Sequence, residues 1–117
     1  MKTNVILDKS MEFAVRIVNL YKYLSSVKSE HVMSKQLLRC GTSIGANVHE
    51  AHHGQSSKDF LAKMYIAFKE VAETKYWLHL LGRTKYLTKR QGDSILSDCV
   101  EIEKILAAIT KTLRGKN

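Results

Sequence analysis

Proline is absent from all 117 residues. Because proline breaks helix interiors, its absence over this length points to an all-helical chain. Cysteine is scarce too. Cys40 and Cys99 both fall on apolar stripes, which reads as two small core residues rather than a disulfide. No stretch approaches the ~20 apolar residues of a membrane span, and the opening MKTNVILDKS lacks the apolar run of a signal peptide. The expectation is a cytoplasmic protein with no membrane partner. No Pro-, Gly- or Ser-rich linker divides the sequence, so residues 1–117 are expected to form a single domain.

Acidic residues are the remaining shortage. The chain has 11 Asp and Glu against 19 Lys and Arg, a net charge of +8. That balance suits a polyanion, nucleic acid above all, and a plain basic surface has the same composition.

What the sequence does contain is helical periodicity. A first helix spans about Asp8 to Leu24, with Met11, Phe13, Ala14, Ile17, Leu20, Tyr21 and Leu24 on one side. Asp8 is its expected N-cap, and Ser25-Ser26 opens the loop after it. A second helix spans about Ser29 to His52, with apolar positions at Met33, Leu37, Cys40, Ile44, Val48 and Ala51. Gly41 and Gly45 lie inside it at i and i+4. Glycine in a helix interior costs roughly 1 kcal/mol against alanine, so the pair predicts another backbone in close approach. Gly54-Gln55-Ser56 then stops one helix and caps the next, with Asp59 in the capping-box position.

The third helix is the most regular. Phe60, Met64, Ala67, Val71, Thr74, Leu78 and Leu81 advance in alternating steps of four and three, a heptad seam, with Gly82 as the expected stop. Thr88 and Gln91 form another capping box, followed by a stripe of Ile95, Cys99, Ile102, Leu106, Ile109 and Leu113. A helix of about 25 residues is ~37 Å long. Helices of that length joined by short loops bury their stripes by packing antiparallel. The expected fold is an all-α, up-down-up-down four-helix bundle.

The third helix has more surface than one seam uses. Asp59, Ile66, Glu70, Glu73 and Trp77 form a second stripe, which either widens the core edge or meets another subunit. Asn47 and Glu50 on helix 2 are candidates for a buried polar network with Glu70, Glu73 or a lysine. Lys58, Tyr65, Lys69 and Tyr76 form a third stripe nearly opposite the core. Cations alternating with phenol rings suit phosphate contact and base stacking, and suit a solvated helix face equally. Arg83, Lys85, Lys89 and Arg90 flank the next loop, with no acid among residues 82–92. Lys35 and Arg39 add an i,i+4 pair on helix 2.

Catalytic signatures are missing. There is no GxSxG, no phosphate-binding glycine loop and no CxxC. Neither Ser43 nor Cys40 has a base placed by a motif. Glu50 and His53 make one Glu-x-x-His, whereas a di-metal bundle needs two such motifs and two further carboxylates. His49, His52 and His53 cluster at a helix end, where exposed histidines are common. No metal, cofactor or enzymatic activity is expected.

The runs LDKSMEFAVRIVNLYKYL, SKQLLRCGTSIGANVHEA and SSKDFLAKMYIAFKEVAETKYWLHLL resemble the 23S rRNA-intervening-sequence protein family, from about Val5 to Leu113. The most specific segments are Thr42 to Asn47 with Glu50-Ala51, and Lys58-Asp59-Phe60 followed by Glu70, Glu73 and Trp77. The resemblance implies a bacterial four-helix bundle assembled as a ring-like homo-pentamer. It extends to the accessory variability proteins of diversity-generating retroelements, basic pentamers that bind nucleic acid and a reverse transcriptase. A ring would also give the stripe of Glu70, Glu73 and Trp77 a surface to bury.

The expected function is that of a non-enzymatic homo-oligomer binding nucleic acid largely by electrostatics, RNA more than DNA. Its expected contact residues are Lys35, Arg39, Lys58, Tyr65, Lys69, Tyr76, Arg83, Lys85, Lys89 and Arg90. The alternative is a protein-interaction scaffold for a nucleic-acid enzyme such as a polymerase, with nucleic-acid contact secondary.

Overall fold

A computed structural model describes the backbone of residues 2–115 and the side chains of residues 5–112. Among them are four helices and no strand: α1 Lys2–Ser26, α2 Met33–Ala51, α3 Ser57–Arg83 and α4 Lys89–Gly115. Each helix packs on its neighbours in chain order, and α1 also meets α4, so the four enclose one core. Residue order is opposed across these contacts. Ser10 and Ile17 of α1 lie against Gly45 and Gly41 of α2. Arg39 and Glu50 of α2 pair with Glu73 and Lys63 of α3. Lys9 and Arg16 of α1 pair with Glu101 and Asp98 of α4.

The α3 and α4 seams are where the periodicity put them. Met64, Ala67, Val71, Thr74, Leu78 and Leu81 are buried on α3, with Phe60 half-buried at the start. Thr74 sits in this apolar row because its hydroxyl donates to the Glu70 carbonyl at 2.7 Å, leaving no polar group unpaired. On α4, Ile95, Cys99, Ile102, Leu106 and Ile109 are buried; the Leu113 side chain lies outside the described residues. α2 runs unbroken through its glycines. A Cβ on Gly45 would stand 3.1 Å from the Ser10 carbonyl oxygen, the backbone approach expected. At Gly41 the neighbour is instead a side chain: a Cβ there would stand 2.8 Å from Ile17 Cγ1.

Several helix ends differ from the pattern reading, each for a visible reason. α1 begins before Asp8, which is an exposed mid-helix residue rather than an N-cap, and Ile6 extends the buried stripe by another turn. Met11 points outward, 53% exposed. Ser25 and Ser26 are still helical, and their hydroxyls donate back to the Tyr21 and Lys22 carbonyls. α2 starts at Met33, not Ser29, which adopts a left-handed φ of 53°. Its cap is Glu30. That buried carboxylate accepts from the N–H groups of Val32, Met33 and Ser34 at 3.2, 3.0 and 2.6 Å. Burial opposes its charge, but the backbone donors prevail and hold the carboxyl below its usual range.

Both expected capping boxes are present in part or whole. Ser56 accepts from the Asp59 N–H, and Thr88 and Gln91 exchange bonds of 3.1 and 2.9 Å. Gly82 does not end α3. The helix closes in a Schellman turn, with Tyr86 N–H on the Leu81 carbonyl and Lys85 N–H on the Gly82 carbonyl. The left-handed position in that turn, φ 72°, is held by Lys85.

Candidate nucleic-acid interface

The outward face of α3 carries the predicted alternation. Lys58 and Lys69 are exposed, Tyr65 is half-buried, and Tyr76 is 58% exposed. The steps 58, 65, 69 and 76 keep these residues on one side of the helix, opposite the seam. They are not one compact patch. Lys58 lies about 37 Å along the helix from Arg83.

The denser cluster is at the other end. Tyr23 near the end of α1 and Arg90 at the start of α4 line the same cleft, which brings the loop before α2 to the turn before α4. Lys22, Lys28, Lys35, Arg83, Lys85, Lys89 and Arg90 are all exposed in this region. Lys22 and Lys28 were not singled out by sequence, because their charges join the others only once α1 folds back along α2 and α4. The local acids are engaged within the fold. Glu30 is the only acid between Lys22 and Arg39, and its carboxylate faces the α2 backbone. Asp93 accepts from Lys89 Nζ at 2.7 Å, an exposed pair that raises the lysine pKa. His79, Arg83, Lys85 and Lys89 line an open cleft of about 450 Å³ between the ends of α3 and α4.

Ion pairing sorts the candidates. Among the described residues, Lys35, Lys58, Lys69, Arg83, Lys85 and Arg90 have no acidic partner within 4.0 Å. Arg39 does. It pairs with Glu73, reaches Glu70 at 3.6 Å, and bonds Gln36 on its own helix. Trp77 packs against the core cluster and donates from Nε1 to Glu73 at 3.1 Å. Glu70, Glu73 and Trp77 therefore face α2 and the core edge of their own chain, while Ile66 remains 42% exposed. Asn47 and Glu50 do not join that group. Asn47 donates to the Ser43 carbonyl and hydroxyl, and Glu50 pairs with Lys63 at 3.2 Å.

The 23S rRNA-intervening sequence protein family matches residues 2–108 of the chain. The chain belongs to that family. It is also similar to a protein of unknown function from the S23 ribosomal protein family of Bacteroides thetaiotaomicron VPI-5482, whose crystal structure was determined at 1.70 Å. The two share 59% identity and a TM-score of 0.93, over 95% of this chain and 99% of that one. No curated protein matches the chain.

The remaining reactive groups are held in the fold. Cys40 and Cys99 are free and fully buried, and burial pushes the Cys99 thiol up to about 12, away from a nucleophilic thiolate. His49 and His52 each bring Nδ1 to a carbonyl one turn back, Gly45 and Val48, and His52 meets the Phe60 ring edge-on. Among the described residues no three His, Cys, Asp or Glu side chains are grouped to hold a metal, and no helix is long and apolar enough to cross a membrane.

Proposed function

We propose that this chain is a non-enzymatic, homo-oligomeric module that binds nucleic acid, structured RNA in preference to DNA. Its protomer is an antiparallel up-down-up-down bundle, and the assembly is a ring of five. One observation supports the binding role: apart from Lys89, which pairs with Asp93, the cations at the 22–35 and 83–90 end have no acidic partner among the described residues, and Glu30 is turned onto the α2 backbone. Such an end concentrates positive potential where a phosphate backbone can approach. Lys85 supports the same reading. A non-glycine residue in the left-handed region costs about 1–3 kcal/mol and tends to persist where function uses it. Here the strained position keeps a charge on the basic end where glycine would fit without strain. A ring of such protomers would repeat the surface around one axis and add avidity for a ligand that spans subunits.

The test is binding of the purified, nuclease-treated protein to a structured RNA and a matched DNA duplex across ~50–200 mM salt, with mass measured in parallel. Parent affinity should fall steeply with salt and favour the RNA. Reversing Arg83, Lys85 and Arg90 to Glu should flatten the logarithmic salt dependence by about 2 to 3 units while leaving the helix content intact. A variant that binds as the parent does would show that the surface lies elsewhere.

A protein-scaffold role has its own observation. Val5, Met11 and Val15 on α1 are 42, 53 and 53% exposed, and Val27 and Val32 in the loop before α2 are 66 and 74% exposed, apolar side chains that a protein partner would cover. A partner retained from lysate after RNA removal would put this reading first.

A further inference from the structure

Tyr76 is the most exposed of the Phe, Tyr and Trp side chains among the described residues, yet it does not stand alone. Its ring meets Trp77 edge-on, with centroids 5.0 Å apart and planes at 76°. Trp77 rests on the core cluster and donates Nε1–H to Glu73, so the indole is held by packing on one side and by a directional bond on the other. Glu73 is in turn paired with Arg39 of α2, and Arg39 is bonded to Gln36. An unbroken series of contacts therefore runs from the α2 surface to an aromatic ring in solvent.

An exposed tyrosine with no such support loses rotamer freedom when a ligand packs on it; a braced ring has lost part of that freedom beforehand. Lys69 and Arg83 lie seven residues before and after Tyr76, two helical turns and about 10 Å away on either side, on nearly the same face. Neither has an acidic partner among the described residues. An aromatic plane between two free cations matches a nucleotide whose base stacks and whose backbone continues both ways.

We propose that Tyr76 is a pre-organised stacking platform for an unpaired nucleobase, with Trp77, Glu73 and Arg39 as its positioning residues and Lys69 and Arg83 as flanking phosphate contacts. The inference rests on the nucleic-acid reading above and narrows it. The faces of bases inside a duplex are covered by their neighbours, so the feature recognised here is a single strand or a loop within a structured RNA. Arg39 thereby acts through the brace rather than on phosphate.

The experiment compares an unstructured oligouridylate with an RNA duplex of equal phosphate number, at one salt concentration, for the parent and three variants. Trp77 is the chain's only tryptophan, so its emission reports on the ring it touches. The parent should change emission with oligouridylate and not with duplex. Tyr76→Leu should weaken oligouridylate binding about 5- to 100-fold and leave duplex binding unchanged. Tyr76→Phe keeps the ring and should bind as the parent. Glu73→Ala removes the brace and one negative charge, so preference for the single strand should fall while duplex binding does not. Equal losses on both ligands, or no loss for Tyr76→Leu, would overturn the platform while leaving the polyanion reading in place. A parent that binds neither ligand would remove both.

Discussion

Replacing Gly41 by alanine sets two effects of known size against each other. Alanine in a helix interior is better than glycine by roughly 0.5–1 kcal/mol, so a loosely packed site would gain stability. At Gly41 the new Cβ would stand 2.8 Å from Ile17 Cγ1, 2.9 Å from Cγ2 and 3.0 Å from Cδ1. Both branches of the isoleucine are too close at once, so rotating one of them clear does not help. A β-branched residue in a helix is largely confined to one χ1 rotamer, and Ile17 is fully buried. The relief must come from α1 moving away from α2. Overpacking of this kind costs about 1–3 kcal/mol, leaving a net loss of roughly 1–2 kcal/mol. For a domain of this size that is a fall of about 4–8 °C in Tm.

The decisive comparison is a double-mutant cycle with Ile17→Ala. That change opens the space, so Gly41→Ala should become stabilising in the altered background, with a coupling of about 2 kcal/mol. Ile17→Val is the control. It removes only Cδ1 and keeps both crowded branches, so it should rescue nothing. Denaturant unfolding followed by circular dichroism at one protomer concentration reads all four corners. If Gly41→Ala equals or exceeds the parent in stability, or if its sign does not reverse over Ile17→Ala, the close-approach reasoning is wrong.

Two further perturbations probe the loops. Glu30→Gln should destabilise the protein by about 1–2 kcal/mol at neutral pH, because the α2 N-terminus loses its charged cap. The folded-state pKa of Glu30 is lowered, so its stabilisation is complete above the ordinary value of 4.5 and is lost as pH falls through the lower folded value. Melting curves of parent and variant should therefore converge in acid; a constant gap down to the lowest pH would argue for a packing effect instead. Lys85→Gly should raise stability by about 1 kcal/mol, since glycine adopts the left-handed turn without strain. The same variant should bind RNA less tightly, and a gain in both properties would contradict the assignment of Lys85 to the binding surface.

Much of the fold is legible in the chain because its signals are local. The seams of α3 and α4 depend on spacing within one helix, and the Ser56 and Thr88 caps depend on residues three apart. The misread ends depend on other physics. Glu30 is not among the usual capping residues, and it caps from three positions before Met33 by folding its side chain back onto the helix start. Gly82 is the obvious stop by composition, but the left-handed turn falls three residues later, where Tyr86 N–H returns to Leu81 and Leu87 is buried. The stripe of Glu70, Glu73 and Trp77 was ambiguous because its answer lies on another helix.

Composition and periodicity alone determined four amphipathic helices and an excess of positive charge, since both are properties of single segments or of the whole chain. Which cations remain available was decided only by tertiary structure. Arg39 and Lys35 are one turn apart and look alike in sequence, yet Arg39 meets Glu73 across 34 residues while Lys35 meets no acid among the described residues. Coulomb attraction acts over a few ångströms at a hydrated surface, and sequence separation says nothing about that distance until the helices have been rotated into register.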